Sequence, residues 1–363
     1  MALINKNILI VSPEPWDHIF VSKHHYSIYL AKRGNRVFFL NPPTKEMVMR
    51  DTRFSDVFSV HYKGFVKGLK YLPKGLRRFF VRQVYAQLQE LCKVHFDVVW
   101  SFDNSVFFDF DALPADTIKI SHIVDLNQNF QTKRAASSAG YCFCTTELIR
   151  DRLREFNFRV TKINHGFHLP SEEVRVPGLL NKKRTALYAG NLGMPYIDWV
   201  LLKEIVTTYT EVDFIFVGPN ETSLSDIPLA NAKMAVIQSP NTHFLGEVVS
   251  DSLQNYYRAS DLLLITYLEE FHKEQANPHK MMEYLGSGKM IVATFTSEYV
   301  DLFNEGLFLM SKRNAGFREV FGRALKELSY WNSEDLQAAR KSFAIENTYE
   351  KQIKRIQNII DQG

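Results

Sequence analysis

Cysteine is scarce in this chain, which has only Cys92, Cys142 and Cys144 among its 363 residues. Three thiols at these spacings match neither a disulfide framework nor a zinc-binding pattern, and they suit a reducing compartment. No stretch approaches the roughly 18 uncharged apolar residues that span a membrane. The N-terminal apolar run is too short for a secretory signal peptide. We therefore expect a cytoplasmic protein.

Other absences exclude further classes of function. Lysine and arginine number 44 against 40 aspartates and glutamates, a net charge of +4 that is too mild to indicate a nucleic-acid partner. No Gly-x-Gly-x-x-Gly follows the first predicted strand, which argues against a dinucleotide-dependent enzyme. The sequence also lacks the Gly-x-Ser-x-Gly elbow of serine hydrolases, which argues against that class. The isolated Asp109-Phe110-Asp111 is too weak to predict a metal site, so we expect no metal and no cofactor.

What the sequence does contain is a regular alternation of strands and helices. Asn7–Val11 is an apolar run typical of a strand buried on both faces, and it is followed by a helical pattern that ends at Gly34. Further strands are expected at 36–40, 97–101, 118–122, 140–144, 160–163, 185–189, 213–217, 261–266 and 289–294. Such alternation favours parallel sheets covered by helices.

The length and a polar break between the halves indicate two domains. We predict an α/β protein in which two doubly wound, Rossmann-like parallel-sheet domains face a cleft. The expected parts are an acceptor-binding domain over 1–167, a linker over 168–184, a donor-binding domain over 185–345 and a closing helix over 346–363 that can pack back on the first domain. Ligands of such sheets bind beyond the carboxyl ends of the strands.

The most informative stretch starts at Asn277, a good N-cap, followed by Pro278, a good first helical residue. A helix that starts here directs free N–H groups and a positive dipole end at an anion. Its spacing places His279, Lys280 and Glu283 on one face, where a diphosphate at the helix tip and a ribose one turn later would fit. A capped surface helix with a solvated Lys/Glu pair is the alternative.

This stretch, NPHKMMEYLGSGKMIVAT, resembles the signature of nucleotide-sugar glycosyltransferases with the GT-B fold, in the family 4-like branch that builds cell-surface polysaccharides. Four other blocks resemble that family in the same order along nearly the whole chain. They are INHGF from Ile163, Ala189-Gly190-Asn191 with Ile197-Asp198, FIFVGP with FLGEV, and ASDLLLITY.

The resemblance implies roles for individual donor-domain residues. Glu283 matches the second glutamate of the family's Glu-seven-residues-Glu motif, which binds the donor ribose. The first falls at Gln275, with Glu274 beside it, so either residue is a candidate for contacting the sugar. The family has an Arg and a Lys after the first donor strand, but the loop that starts Gly190-Asn191 contains neither. We therefore expect the diphosphate to be neutralised by Lys280, together with Lys273 and backbone N–H groups.

In the acceptor domain, His122 resembles a family position that contacts the transferred sugar, and Asp125 resembles an acidic residue of the branch. A structural histidine and a turn or cap residue are the respective alternatives. Lys23 and His24, at the start of a predicted helix, are candidates for contacting the donor phosphate or the acceptor, against a solvated first turn.

Seven basic residues and no acidic one lie between Asp56 and Glu90, with aromatic residues between them. The basic residues are Lys63, Lys67, Lys70, Lys74, Arg77, Arg78 and Arg82. This composition suits an anionic membrane surface, which we expect 63–82 to contact. Nucleic acid and a merely solvated face are the alternatives.

The resemblance implies a metal-independent, retaining, hexosyltransferase-like enzyme. It would move a sugar from a nucleotide diphosphate-sugar to a lipid-linked or glycan hydroxyl. The basic segment adds the expectation of a peripheral protein on the inner face of the membrane. A non-catalytic sugar-nucleotide-binding subunit of the same fold is the first alternative, suggested by Gln275 and the missing Arg and Lys. A two-lobed periplasmic binding protein is the second, and the lack of an export signal counts against it.

Overall fold

The computed structural model describes residues 1–105, 109–126, 130–169, 184–220, 224–249 and 252–363. Most of the predicted linker lies outside these ranges. The chain divides into two compact units, one formed by 1–166 with 349–363 and the other by 167–348. The C-terminal helix thus belongs to the first unit. Among the described residues no helix combines the length and the apolarity that crossing a membrane requires.

The described part of unit 1 contains a mostly parallel eight-stranded sheet. Its strands are β1 (Asn7–Val11), β2 (Arg36–Leu40), β3 (Val48–Asp51), β4 (Val57–His61), β5 (Val98–Ser101), β6 (Ile118–Ile123), β7 (Tyr141–Cys144) and β8 (Val160–Lys162). They lie in the order β3-β4-β2-β1-β5-β6-β7-β8, and β3 alone runs antiparallel to its neighbour. The central strands are β-branched or aromatic runs buried on both faces, as the sequence predicts.

Helices cover both faces of this sheet. They are α1 (Ser22–Ala31), α2 (Lys74–Cys92), α3 (Thr132–Ser138) and α4 (Glu147–Arg154), with the C-terminal helix Tyr349–Gln362 beside α1. Ile353 and Ile356 of that C-terminal helix are fully buried in the core between α1 and the sheet. The Tyr349 ring lies so close to Gly166 that a Cβ there would meet it at 2.4 Å, so only glycine fits at this position.

Unit 2 contains a parallel six-stranded sheet in its described residues. Its strands are β9 (Arg184–Ala189), β10 (Val212–Val217), β11 (Thr242–Phe244), β12 (Leu262–Ile265), β13 (Met290–Thr294) and β14 (Leu309–Ser311), in the order β11-β10-β9-β12-β13-β14. Its helices are α5 (Trp199–Thr208), α6 (Ile227–Ile237), α7 (Leu253–Ala259), α8 (His279–Ser287), α9 (Val300–Asn304), α10 (Phe317–Lys326), α11 (Leu328–Trp331) and α12 (Glu334–Glu346). The C-terminal helix of unit 1 is α13.

Glycines end the first two strands of this second sheet and let the backbone turn sharply at its carboxyl edge. Gly190 follows β9 with φ +141°, and Gly218 follows β10 with φ +132°. A Cβ on Gly218 would lie 2.0 Å from the Gly190 carbonyl oxygen. The two turns are therefore packed against each other at the edge where ligands of such sheets bind.

Candidate functional site

Helix α8 begins at the carboxyl edge of the unit 2 sheet, because it follows the parallel strand β12. Its N-cap is Pro278 and its first residue is His279, so the prediction that Asn277 caps the helix is wrong by one residue. The Asn277 amide oxygen instead accepts a hydrogen bond from the Tyr299 hydroxyl at 2.7 Å. The Met281 N–H of the first turn donates to the Pro278 carbonyl at 2.9 Å. The N–H groups of His279 and Lys280 precede the first i−4 acceptor of the helix, which makes its tip a suitable position for an anion.

Lys280 lies in a cage of aromatic rings on the first turn of α8. Its Nζ is 3.8 Å from the centre of the Tyr188 ring and 5.6 Å from that of Tyr267. A Cβ on Gly190 would approach this Nζ to 2.9 Å, so the glycine at the end of β9 makes room for the ammonium. No carboxylate of the described residues lies within 4 Å of Nζ, and burial lowers the pKa of Lys280 to about 7. The Glu283 carboxylate acts on the ammonium from beyond ion-pair distance and only partly offsets this lowering, so Nζ can still receive a bound anion.

Glu283 follows Lys280 by three residues on the same helix, and it is held by two neighbours. The Tyr257 hydroxyl of α7 donates to Oε2 at 3.0 Å, and His279 Nδ1 lies 3.6 Å from Oε1. Burial and the nearby Glu283 carboxylate raise the pKa of Tyr257, so this phenol remains a donor. Glu283 thus presents an oriented acceptor one turn from the anion position, as the spacing predicts.

Two side chains of this region support the scaffold. The backbone N–H of Ala189 donates to the Tyr284 hydroxyl at 3.0 Å, which ties α8 to the end of β9. The Asn191 amide oxygen accepts from the Gly193 N–H at 2.9 Å and forms the turn after β9. The predicted donor residues Gly190, Asn191, His279, Lys280 and Glu283 therefore come together at one edge of unit 2.

The predicted sugar-contacting pair lies on the segment that leads into α8. Glu274 and its neighbour Lys273 are exposed, whereas Gln275 is half-buried and its N–H donates to the Phe271 carbonyl at 2.8 Å. These exposures leave both sugar candidates accessible, and their roles stay predictions.

In unit 1, His122 lies inside the core rather than at a surface. It is 1% exposed, stacked on Phe102 with a centroid distance of 4.9 Å and on Trp100 at 6.0 Å. Burial lowers its pKa to about 3, so the imidazole is neutral at physiological pH. Neither ring nitrogen has a hydrogen-bond partner among the described residues. The structure thus favours a core position for His122, and its sugar contact stays a prediction.

The other acceptor-side candidates differ in accessibility. His24 is fully buried, its Nδ1 accepts from the Val21 N–H at 3.2 Å and its Nε2 donates to the Pro15 carbonyl at 3.1 Å. Both ring nitrogens are used inside unit 1, so the position of His24 does not support a ligand contact. Lys23 is 2% exposed and forms an ion pair with Glu14. Asp125 is exposed on the loop after β6, where a ligand can reach it.

The basic segment 63–82 does not present all seven cations to solvent. Arg77 is buried, and its Nε lies 2.7 Å from an oxygen of Asp109. Arg78 pairs with Asp111 and lies 3.9 Å from Asp109, while Arg82 donates to a backbone carbonyl at 3.1 Å. Acidic and carbonyl groups of unit 1 therefore engage the three arginines, and the contact of 63–82 with an anionic membrane stays a prediction. Among the residues described, no three His, Cys, Asp or Glu side chains cluster as metal ligands.

Comparisons with known proteins agree with this geometry. Residues 183–327 match the family model described as Glycosyl transferases group 1. No curated protein matches. Sucrose-phosphate synthase from Thermosynechococcus elongatus has a similar structure, with a TM-score of 0.71, 10% identity and 98% of each chain covered.

Two further solved structures have the same fold over nearly their whole length. A glycosyltransferase from Rickettsia africae has a TM-score of 0.66 and 14% identity, with 98% of each chain covered. The catalytic domain of starch synthase IV from Arabidopsis thaliana has a TM-score of 0.69 and 12% identity, covering 98% of this chain and 99% of that one. Two parallel-sheet units on this pattern confirm the predicted GT-B fold. The chain is a glycosyltransferase enzyme whose residues 183–327 form a glycosyl transferases group 1 domain.

Proposed function

We propose that this enzyme transfers a sugar, with retention of anomeric configuration, from a nucleotide diphosphate-sugar to the hydroxyl of a lipid-linked or glycan acceptor. The observation that carries the proposal is the position of Lys280 and Glu283 on α8, one turn apart beside the Gly190 turn. Similar structures were solved with nucleotides: starch synthase IV with ADP and acarbose, and an Anabaena protein with UDP and glucose. Cell-surface polysaccharide synthesis is the process that the sequence signature suggests.

The chemical task of the protein is to stabilise a leaving diphosphate. As the bond between the anomeric carbon and the phosphate oxygen breaks, the acceptor oxygen bonds to that carbon and its proton passes to a phosphate oxygen of the donor. We assign the growing negative charge to the Lys280 ammonium and to the first-turn N–H groups of α8, with no metal or cofactor. Glu283, oriented by Tyr257, would accept from the ribose hydroxyls.

A donor-hydrolysis and transfer assay tests this proposal against a non-catalytic binding subunit. Thermal-shift screening with a panel of nucleotide sugars first identifies the donor, and hydrolysis of that donor is then followed with wild type, Lys280→Met and Glu319→Ala. Glu319 is an exposed residue of α10 and serves as the control. We expect the Lys280 variant to lose turnover and the control to keep it. Donor binding with no hydrolysis or transfer would identify the non-catalytic subunit instead.

A lipid-linked acceptor places the enzyme at a membrane, and we propose that it associates peripherally with the inner face through the segment 63–82. The four lysines of this segment are exposed and make no ion pair among the described residues, whereas Arg77 and Arg78 pair with aspartates and the exposed Arg82 donates to a backbone carbonyl. The attraction to anionic lipid is therefore assigned to the lysines.

A further inference from the structure

Large apolar side chains are exposed to solvent at the start of α2 and in the turn before it. Their exposed fractions are 44, 80, 53 and 60% for Val66, Tyr71, Leu76 and Phe79. Exposed lysines alternate with them, namely Lys67, Lys70 and Lys74. We refer to residues 66–79 as the docking surface. Leu76 and Phe79 lie three residues apart and so share one face of α2, where adjoining exposed apolar groups mark an interaction surface.

The docking surface is held rigidly at the carboxyl edge of the unit 1 sheet. Helix α2 connects the parallel strands β4 and β5, so it begins at that edge. The Arg77–Asp109 ion pair fixes its first turn to the loop after β5. Arg134 of α3 donates to the Lys70 carbonyl at 2.9 Å, which fixes the preceding turn to the segment after β6. The loop after β6 also carries the exposed Asp125, so the docking surface and this acceptor-side candidate share one edge.

The composition of the docking surface distinguishes among partners. Lysine is depleted from protein–protein interfaces, whereas lysine beside exposed aromatic and aliphatic side chains is typical of membrane interfaces. A nucleic acid would leave Val66 and Leu76 without a suitable contact. Headgroups of anionic lipids complement the lysines, while the apolar side chains reach the acyl boundary.

We propose that residues 66–79 insert Tyr71, Leu76 and Phe79 into the interface of an anionic lipid bilayer, with Lys67, Lys70 and Lys74 among the headgroups. This inference rests on the proposed function, since a lipid-linked acceptor is what places the enzyme at a membrane. Charge alone would give an attachment that salt abolishes, whereas insertion leaves a component that salt does not remove.

Vesicle flotation with the full chain tests the insertion. The vesicles are equal parts phosphatidylglycerol and phosphatidylcholine, or phosphatidylcholine alone. An apolar variant combines Tyr71→Ser, Leu76→Ser and Phe79→Ser, and a lysine variant changes Lys67, Lys70 and Lys74 to Gln. The control is Phe158→Ser, an 87% exposed aromatic just before β8, at the opposite edge of the sheet.

We expect the apolar variant to bind anionic vesicles roughly 30-fold more weakly or worse at both low and high salt. The lysine variant should lose about tenfold or more at low salt and little at 1 M salt, where screening already weakens the wild-type attraction (Debye length about 3 Å). The control should match wild type. In a Tyr71→Trp variant, vesicles should shift the indole emission to shorter wavelength.

Wild-type protein that stays in solution, or an apolar variant that floats like wild type, would overturn the insertion. A lysine variant that alone loses binding would reduce the surface to electrostatic contact and overturn it equally. Donor hydrolysis without vesicles should be the same in all variants, because the donor residues lie in unit 2. Absence of hydrolysis in wild type would count against the proposed function and not against membrane binding.

Discussion

The ionisation of Lys280 makes donor affinity depend on pH, and this dependence tests the proposed site directly. Burial among tyrosine rings lowers the pKa of Lys280 from 10.5 to about 7 in the free protein. A diphosphate beside Nζ favours the charged form and raises that pKa again. Donor binding above pH 7 therefore takes up one proton, and the affinity falls as the pH rises through the free-protein pKa.

The size of the effect follows from the fraction of free protein that already carries the charge. With a pKa near 7, that fraction falls from about three quarters at pH 6.5 to about 3% at pH 8.5. The dissociation constant of the donor should thus rise by roughly 25-fold over this range. The nucleotide sugar is a suitable probe, because both of its phosphates are esterified and stay ionised throughout.

Isothermal calorimetry measures both the affinity and the proton uptake. Titrations at pH 6.5 and 8.5, in two buffers that differ in ionisation enthalpy, should give uptake close to one proton at pH 8.5. Lys280→Met should bind more weakly at both pH values and show neither effect, while His279→Gln should retain the loss of affinity above pH 7. Equal wild-type affinity at the two pH values, or a pH dependence that persists in Lys280→Met, would refute the assignment.

Four further changes give separable results. Glu283→Ala should weaken donor binding by about 1–3 kcal/mol, measured by calorimetry, because the ribose hydroxyls lose an acceptor; unchanged affinity would exclude the ribose contact. Gln275→Ala should reduce turnover more than Glu274→Ala if the family register holds, and the reverse order would assign the sugar contact to Glu274. Arg340→Met should lower the free energy of unfolding by roughly 2–4 kcal/mol in urea denaturation, since this fully buried guanidinium donates to the Leu307 and Gly288 carbonyls. An unchanged free energy of unfolding would show that those carbonyls find other partners. Gly218→Ala should destabilise unit 2 by about 1–3 kcal/mol or more, because its Cβ would meet the Gly190 carbonyl, and a wild-type melting curve would contradict that packing.

The central strands and most helices were predictable because local patterns specify them. Strands such as Asn7–Val11 and Arg36–Leu40 are buried on both faces, so their apolar runs are continuous and their predicted bounds match the structure. The edge strand Val48–Asp51 was missed, since it is at most half-buried and reads Val-Met-Arg-Asp, with no apolar pattern. The block starting at Phe244 resembles a strand block of the family, but β11 ends at Phe244 and residues 245–249 form neither strand nor helix.

Within the site, the sequence predicts what one helix determines and misses what distant elements contribute. Spacing alone places His279, Lys280 and Glu283 on one face of α8. The Tyr257 hydroxyl that orients Glu283 comes from 26 residues earlier, and no local pattern distinguishes it from the adjacent Tyr256. Such pairings arise from the packing of α7 on α8, which a single sequence does not encode in a readable form.

The same limit applies in unit 1. The sequence predicts a strand that ends at His122, but β6 continues to Ile123 and the imidazole lies in the aromatic core, while its sugar contact stays a prediction. Alternation along a strand tells which residues share a face, not which face meets the core. Likewise, the charges of Arg77 and Arg78 look free in sequence, because their partner Asp109 lies about 30 residues away.

Under the proposed function, Lys280 supplies the cation for the diphosphate in a donor domain that has none after its first strand. The turn after β9 supplies no cationic side chain, and the glycine at 190 leaves the volume that the Lys280 ammonium occupies. The cation thus comes from α8, the helix whose N-terminus also faces the anion, so charge and dipole act on the same group. Without bound diphosphate, burial of the ammonium in the aromatic cage lowers the free energy of unfolding, because the folded pKa of Lys280 lies below its unfolded value. This destabilisation is complete below about pH 7 and absent above pH 10.5. Binding of the diphosphate removes this destabilisation, because its negative charge compensates the buried ammonium. Donor binding is therefore coupled to the stability of the folded site around Lys280.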